Sequence, residues 1–482
     1  MKYVVMVGDG MADEWQDGSD EKTPLMAART PVLDFLAERS ELGLARTVPT
    51  GMEPGSDVAN MSILGYEPAL FHRGRASLEA LSSEISLQEG DAALRCNLVS
   101  LSEEQAVYGN RRMMDFSAGG ISTEEAEACL GALLTCWKQD TCLGALLAGW
   151  KPEACPGDFP VGWKSGACPG DFPAGWKPEA GIEFYRESGY RQRLILRREA
   201  LNRAGISASR EGELPFPDLT PPHNIRLSVI EPYLPGNSLL RFLMEDSCRI
   251  LKEHPVNRKR RRQGLLAANS LWFWGAGIRT MLPSFYERTG LKGVMISASE
   301  LLRGLGMAAG LTVPEIPGAT GHLDTNYEGK AEAVCRALLD EGMDFAFLHY
   351  DAPDERGHVG DRKGKIRAIE ALDSRLIKPV YETLLASGEE FRLLILSDHP
   401  TPVLKRSHTA EPVPYLIYDS RRQRAGTAMG NTGEDGGRKS RPEFPHILRR
   451  SLRYTEADGW LAAEKVRDGS CLMNRLLERE EP

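Results

Sequence analysis

The apolar residues of this chain gather into short continuous runs rather than alternating with polar ones. The runs are "YVVMVGDG" (3–10), "GVMISAS" (293–299), "FAFLHYD" (345–351), "LLILSDH" (393–399) and "PYLIYDS" (414–420). A strand covered by helices on both faces reads this way. Helical patterns stand between the runs, as in "TPVLDFLAERSEL" (30–42) and "KAEAVCRALLDEG" (330–342). Strands alternating with helices predict an α/β fold on a doubly wound, mostly parallel sheet. From about residue 75 to 265 that rhythm is lost, which predicts a second domain inserted into the first. The expected division is 1–75 with 265–482 for one domain and 76–264 for the other. A Gly-, Arg-, Ser- and Pro-rich tract at 421–445 predicts an exposed loop.

A thirteen-residue repeat interrupts the inserted region. Cys129, Cys142, Cys155 and Cys168 share one phase; Trp137, Trp150, Trp163 and Trp176 share another, each followed by a lysine. The four units fill 129–180. They lack the close C-x₂-C pairs and the histidines of a structural zinc site. Only the last two units are nearly identical, and "CPGDFP" in them cannot continue a helix begun as "CLGALL". The repeat therefore reads as a tandem expansion tolerated on the domain surface, with a partner-binding Trp array as the alternative. Deleting 129–180 to join Ala128 to Gly181 is expected to leave a folded and active protein.

Composition narrows the function classes. The chain has 482 residues, 41% hydrophobic and 26% charged, the balance of a globular protein. A net charge of −9 argues against a general nucleic-acid binder. The basic run "NRKRRRQG" (257–264) reads as a solvated loop or helix end. No apolar stretch approaches the ~20 residues that cross a bilayer, and the N-terminus lacks a signal-like apolar region. A cytoplasmic protein is expected, with its nine cysteines as thiols or metal ligands.

Chemistry gathers where the strands end. Asp9 closes the first run. "DAPDERGH" offers Asp351, Asp354 and His358; "SDHPTPVLKRSH" offers Asp398, His399 and His408. Ligands of open α/β sheets bind outside the carboxyl ends of the strands. Carboxylates and imidazoles together suit Mn²⁺, Zn²⁺ or a similar ion, and a set this large suits two. Two neighbouring ions clamp the attacking and leaving oxygens of a phosphoryl transfer. Ser56, in "PTGMEPGSDVANMSILGYEP" (49–68), precedes a helix-like run. It is either a nucleophile at a helix N-terminus or an N-cap.

These stretches, with "GDGMAD", "TPLMAARTP", "NSLWFWGAG", "IPGATGHLDTNYEGKAEA" and "APDERGHVGD", resemble the cofactor-independent phosphoglycerate mutases of the archaeal type, in the alkaline phosphatase superfamily. The resemblance covers most of 1–120 and 220–420. It implies a metal-dependent enzyme of glycolysis and gluconeogenesis that interconverts 3- and 2-phosphoglycerate through a phosphoserine, without 2,3-bisphosphoglycerate. It implies two divalent ions, commonly Mn²⁺, with Mg²⁺, Zn²⁺ or Co²⁺ as substitutes. Asp9, Ser56, Asp398 and His399 would hold one, and Asp354, His358 and His408 the other. Ser56 would carry the phosphate, the inserted α+β domain would act as a lid, and Arg75 and Arg279 would bind a small phosphorylated metabolite. Gly120 stands where the family often has His. Ile278 stands where it has Lys or a similar residue, and Asn224 where it has Asp. A bacterial branch with similar motifs has been proposed to phosphorylate homoserine, which gives the alternative. A third reading is a degraded relative that binds partners through its Trp repeat.

Overall fold

The computed structural model describes residues 1–16, 21–139, 181–203, 206, 214–216, 219–422, 452–462 and 464–479. Repeat residues 140–180 and loop residues 423–445 lie outside them. The described strands are β1 (Lys2–Gly8), β2 (Glu41–Ala45), β3 (Ala92–Leu101), β4 (Met113–Asp115), β5 (Ile182–Arg186), β6 (Arg191–Leu196), β7 (Ser270–Ile278), β8 (Gly293–Ile296), β9 (Phe345–Tyr350), β10 (Phe391–Leu396), β11 (Val413–Asp419) and β12 (Glu464–Val466). The chain divides into two compact units, Met1–His72 with Met281–Pro482, and Arg73–Thr280.

The first unit is built on a seven-stranded sheet of order β12-β2-β11-β10-β1-β9-β8. β8, β9, β1 and β10 run parallel, β11 is antiparallel to both of its neighbours, and β12 is parallel to β2. All five strands expected from the apolar runs are present. Every residue of β8, β9, β10 and β11 is buried, because helices cover both faces. On one face Leu393, Ile395, Leu348 and Val4 pack with Leu33, Val334 and Leu376. On the other, the Phe285 ring lies 4.6 Å from Phe345. The helix expected over 30–42 stops earlier, at Ala37, and Glu41 already starts β2. Apolar periodicity does not separate that short strand from the end of the helix.

The second unit holds an antiparallel sheet in which β3 pairs with β4, β6 and β7, and β5 with β6. Its boundaries fall at 72/73 and 280/281, where the sequence reading placed them at 75/76 and 264/265. Most of the difference is β7, which belongs here because it pairs with β3 from Val99↔Ser270 to Ala92↔Ile278. The basic run forms the end of the helix Pro255–Arg262 and is only partly solvated. Arg260 is buried, donating to the carbonyls of Leu266 at 2.8 Å and Ala118 at 2.7 Å.

The first repeat unit is not a surface expansion. The helix Thr123–Gln139 runs through it, and Cys129, Leu130, Leu133, Leu134 and Trp137 are core residues. The Trp137 indole donates to Asp246 at 2.8 Å, and its ring lies 5.6 Å from Phe184 on β5. Deleting 129–180 removes these contacts. At ~2–5 kcal/mol for each large core side chain, the loss is on the order of 10 kcal/mol, comparable to a whole domain's stability. That deletion is therefore expected to abolish folding. Deleting 142–180, the later three units, leaves the helix intact. Trp137 near its described end lies beside Phe184 of β5, the strand that follows the deletion. A cooperative melt near the parent's is expected for this shorter deletion. Equal outcomes for the two deletions would refute the assignment of unit one to the core.

Candidate metal centre

Because β1 lies between β9 and β10 and parallel to both, three strands release their chains at one edge. Val7 is level with Leu396 and Gly8 with Tyr350. Carried one or two residues on, that register sets Asp9 beside both Asp398 and Asp351. Sequence-distant residues meet here for the reason that open α/β sheets place sites at this end.

Around Asp9 stand Ser56, Asp398 and His399. Ser56 is the first residue of the helix Ser56–Ile63; the cap position is Gly55, and the serine side chain caps nothing. Its hydroxyl faces inward, 3.2 Å from His399 Nε2 and 3.5 Å from Asp9 Oδ2. His399 Nε2 is 3.5 Å from Asp9 Oδ1 and 3.6 Å from Asp398 Oδ2. Asp398 is held on all sides. Its Oδ1 accepts the backbone N–H groups of Gly10 (3.0 Å) and His399 (2.9 Å), and its Oδ2 accepts the Asn60 amide at 2.8 Å. The same amide donates to the Ser56 carbonyl at 2.8 Å, tying the start of the helix to the carboxylate.

Asp354, His358 and His408 form a second group. His358 lies one helical turn after Asp354 on the helix Ala352–His358, so both face one way. His358 Nε2 is 3.2 Å from Asp354 Oδ2, and His408 Nε2 is 3.4 Å from Asp354 Oδ1. The two Nε2 atoms are 2.9 Å apart. Their Nδ1 atoms face backbone carbonyls, Arg406 at 3.1 Å and Pro54 at 3.2 Å. An Nδ1–H donated to a carbonyl leaves the lone pair on Nε2, the arrangement that orients metal-ligating histidines. Two such lone pairs facing each other beside a carboxylate call for a cation.

The first group makes the same demand. Asp9, Asp354 and Asp398 are buried, and their ion-pair partners among the described residues are all histidines. Asp9 Oδ1 is buried without a hydrogen-bond partner. Burial, together with the carboxylates of Asp398 and Asp354, pushes Asp9 well above the ordinary carboxylate range. Burial pushes the His399 imidazole down to about 4, so it is neutral at pH 7. Its Nδ1 faces the Thr401 hydroxyl at 3.3 Å, which leaves Nε2 free toward Ser56. These donors fit divalent ions. Ligand atoms of Asp354, His358 and His408 lie within 4.8 Å of one another, as do those of Asp9, Asp354 and His399.

The structure adds residues that the sequence reading passed over. His349, fully buried on β9, has Nε2 3.3 Å from Asp9 Oδ2, and Asp9, His349 and Asp398 form a third group of possible ligands. Thr401 donates to Asp354 at 2.5 Å. Gly10, at φ +57°, leaves a gap that a Cβ would close, 2.5 Å from Thr401 Oγ1 and 2.6 Å from Asp354 Oδ1. Asp351 is not among these ligand groups; it faces His349 and the buried Lys330. Arg75 and Arg279 belong to the second unit. Arg75 lies 3.5 Å from Glu79, and Arg279 is exposed after β7. Gly120 sits at φ +67°, a conformation natural to glycine and strained for residues with a side chain.

The model of the metalloenzyme superfamily matches residues 1–437. A 2,3-bisphosphoglycerate-independent phosphoglycerate mutase of Methanosarcina acetivorans is 40% identical over 421 residues, 87% of this chain and 90% of that protein. The chain belongs to this mutase family, within the metalloenzyme superfamily. A probable mutase of the same name from Geobacter sulfurreducens is 36% identical over 482 residues, covering 99% of this chain and all of the relative. A solved Pyrococcus horikoshii protein shares the fold, with a TM-score of 0.64 and 24% identity over 100% of this chain and 98% of that one. No described helix is long and apolar enough to cross a membrane. A cluster of buried carboxylates and imidazoles suits a metalloenzyme superfamily.

Proposed function

We propose that this chain interconverts 3-phosphoglycerate and 2-phosphoglycerate through a phosphoserine at Ser56, with two divalent ions and no 2,3-bisphosphoglycerate. One observation carries the reading: the Ser56 hydroxyl, at a helix N-terminus, points into the carboxylate and imidazole ligands instead of capping its helix. Asp9, Ser56, Asp398 and His399 are assigned to one ion, and Asp354, His358 and His408 to the other. Mn²⁺, common in the family the sequence resembles, is the ion taken for the tests. When bound, the ions lower the hydroxyl pKa and neutralise phosphoryl charge.

Ser56 Oγ attacks phosphorus; the Ser–O–P bond forms as the bond to the 3-oxygen breaks, and that oxygen takes a proton. The glycerate then turns. Its 2-hydroxyl attacks the same phosphorus as the bond to the serine oxygen breaks, and the proton lost by that hydroxyl is balanced by the one that restores the Ser56 hydroxyl. Peptide N–H groups at the start of the helix favour the phosphate throughout. Arg75 and Arg279 of the second unit are the candidates for its remaining anionic groups.

Offering one metal-loaded preparation both substrate sets in parallel tests the reading. Formation of 2-phosphoglycerate from 3-phosphoglycerate without nucleotide is expected. ATP-dependent phosphorylation of homoserine with no isomerisation would replace the mutase reading by the kinase one.

A further inference from the structure

Lys365 lies on the helix Arg362–Ala371, outside both ligand groups, and its side chain is fully buried. Its ammonium has three N–H donors and meets three oxygens: Ala12 O at 2.9 Å, Asp13 Oδ2 at 3.0 Å and Thr401 O at 2.8 Å. Two of these follow β1 and Asp9; the third follows β10, Asp398 and His399. Other bonds lace the same loops. Thr401 N donates to Ala12 O at 3.2 Å, and Val403 N donates to Asp13 Oδ2 at 3.1 Å. Asp13 N in turn donates to Glu456 Oε1 at 3.0 Å. The β10 loop carries Asp398 and His399 of one group and His408 of the other, and the Thr401 side chain donates to Asp354 and faces His399.

We infer that Lys365 is a positioning residue for both ions, fixing the separation of the β1 and β10 loops through one fully satisfied ammonium. The inference rests on the metal reading above. Uncharged groups cannot reproduce the tie. Methionine fills the same space but leaves the half-buried Asp13 carboxylate without its counter-charge and Thr401 O without this donor. Glutamine keeps two donors and loses the charge. Partners that orient metal ligands without touching the ion cost about 10–100-fold in affinity when removed.

The test titrates metal-free parent, Lys365→Met and Lys365→Gln proteins with Mn²⁺, followed by calorimetry and electron paramagnetic resonance, with melts run alongside. Two ions are expected on the parent. Affinity for both should be at least about tenfold weaker in Lys365→Met and intermediate in Lys365→Gln, with kcat falling more than KM rises. A lysine serving the fold alone would lower the melting temperature and leave the affinity of the folded protein unchanged. Such unchanged affinity in either folded variant overturns the inference. Failure of both variants to fold assigns Lys365 to the fold and overturns it as well. A parent that binds no ion defeats the metal reading itself; that outcome is visible in the parent's own titration.

Discussion

Ser56→Ala is expected to abolish isomerisation while leaving the protein folded. The mechanism above has no other oxygen to accept the phosphoryl group, so the loss should reach at least about four orders of magnitude in kcat, roughly 5.5 kcal/mol of barrier. Stability should change by no more than about 1 kcal/mol. Alanine suits the first turn of a helix at least as well as serine, and Gly55 occupies the cap position. The neighbours do not depend on the hydroxyl: Asn60 binds the Ser56 carbonyl, which alanine retains. The decisive readout is covalent. Parent protein quenched during turnover should carry one phosphoryl group on the peptide containing Ser56, and the variant none. A variant that still isomerises phosphoglycerate at a substantial rate would remove Ser56 from the mechanism.

Much of this cluster is legible in the sequence because its residues follow apolar runs. Asp9, Asp354, Asp398 and His399 come directly after strands or open the next helix, and the parallel order of β9, β1 and β10 brings them together. His349 was passed over for the opposite reason. It lies inside "FAFLHYD", a continuous run in which it is an ordinary buried strand position until the register shows Asp9 beside it. Asn60, Thr401 and Lys365 carry no motif of their own; their roles depend on what their side chains reach across hundreds of residues. The core role of repeat unit one is masked in the sequence by what the four units share. Leu130, Leu133, Leu134 and Trp137 have the spacing of a buried helical face, a pattern that ends where "CPGDFP" replaces "CLGALL". The shift from 264 to 280 at the unit boundary has a similar source, since the pairing of β7 with β3 is a long-range fact that local pattern does not contain.

Removing the ions, or one of their ligands, should stop the enzyme and soften the fold at the same point. The parent stripped by chelator is expected to be inactive and to recover with Mn²⁺. Stability should follow occupancy. A site at a hundredfold excess of ligand over its dissociation constant adds about 2.7 kcal/mol, so Mn²⁺ should raise the melting temperature of the parent by several degrees. His408→Ala takes one Nε2 from the group in which His358 and Asp354 remain. Its affinity for one ion should fall by at least about a hundredfold, because losing a ligand costs no less than losing a partner that merely orients one. The Asp9, Asp398 and His399 group keeps its own donors, so the other ion should still bind. The variant should therefore hold one tight ion instead of two, gain less thermal stability from Mn²⁺, and show little activity. The fold should survive, because His408 is half-buried on the loop between β10 and β11 and contributes no apolar core. Full activity of the chelated parent, or two tight ions on His408→Ala, would remove the second metal from the mechanism.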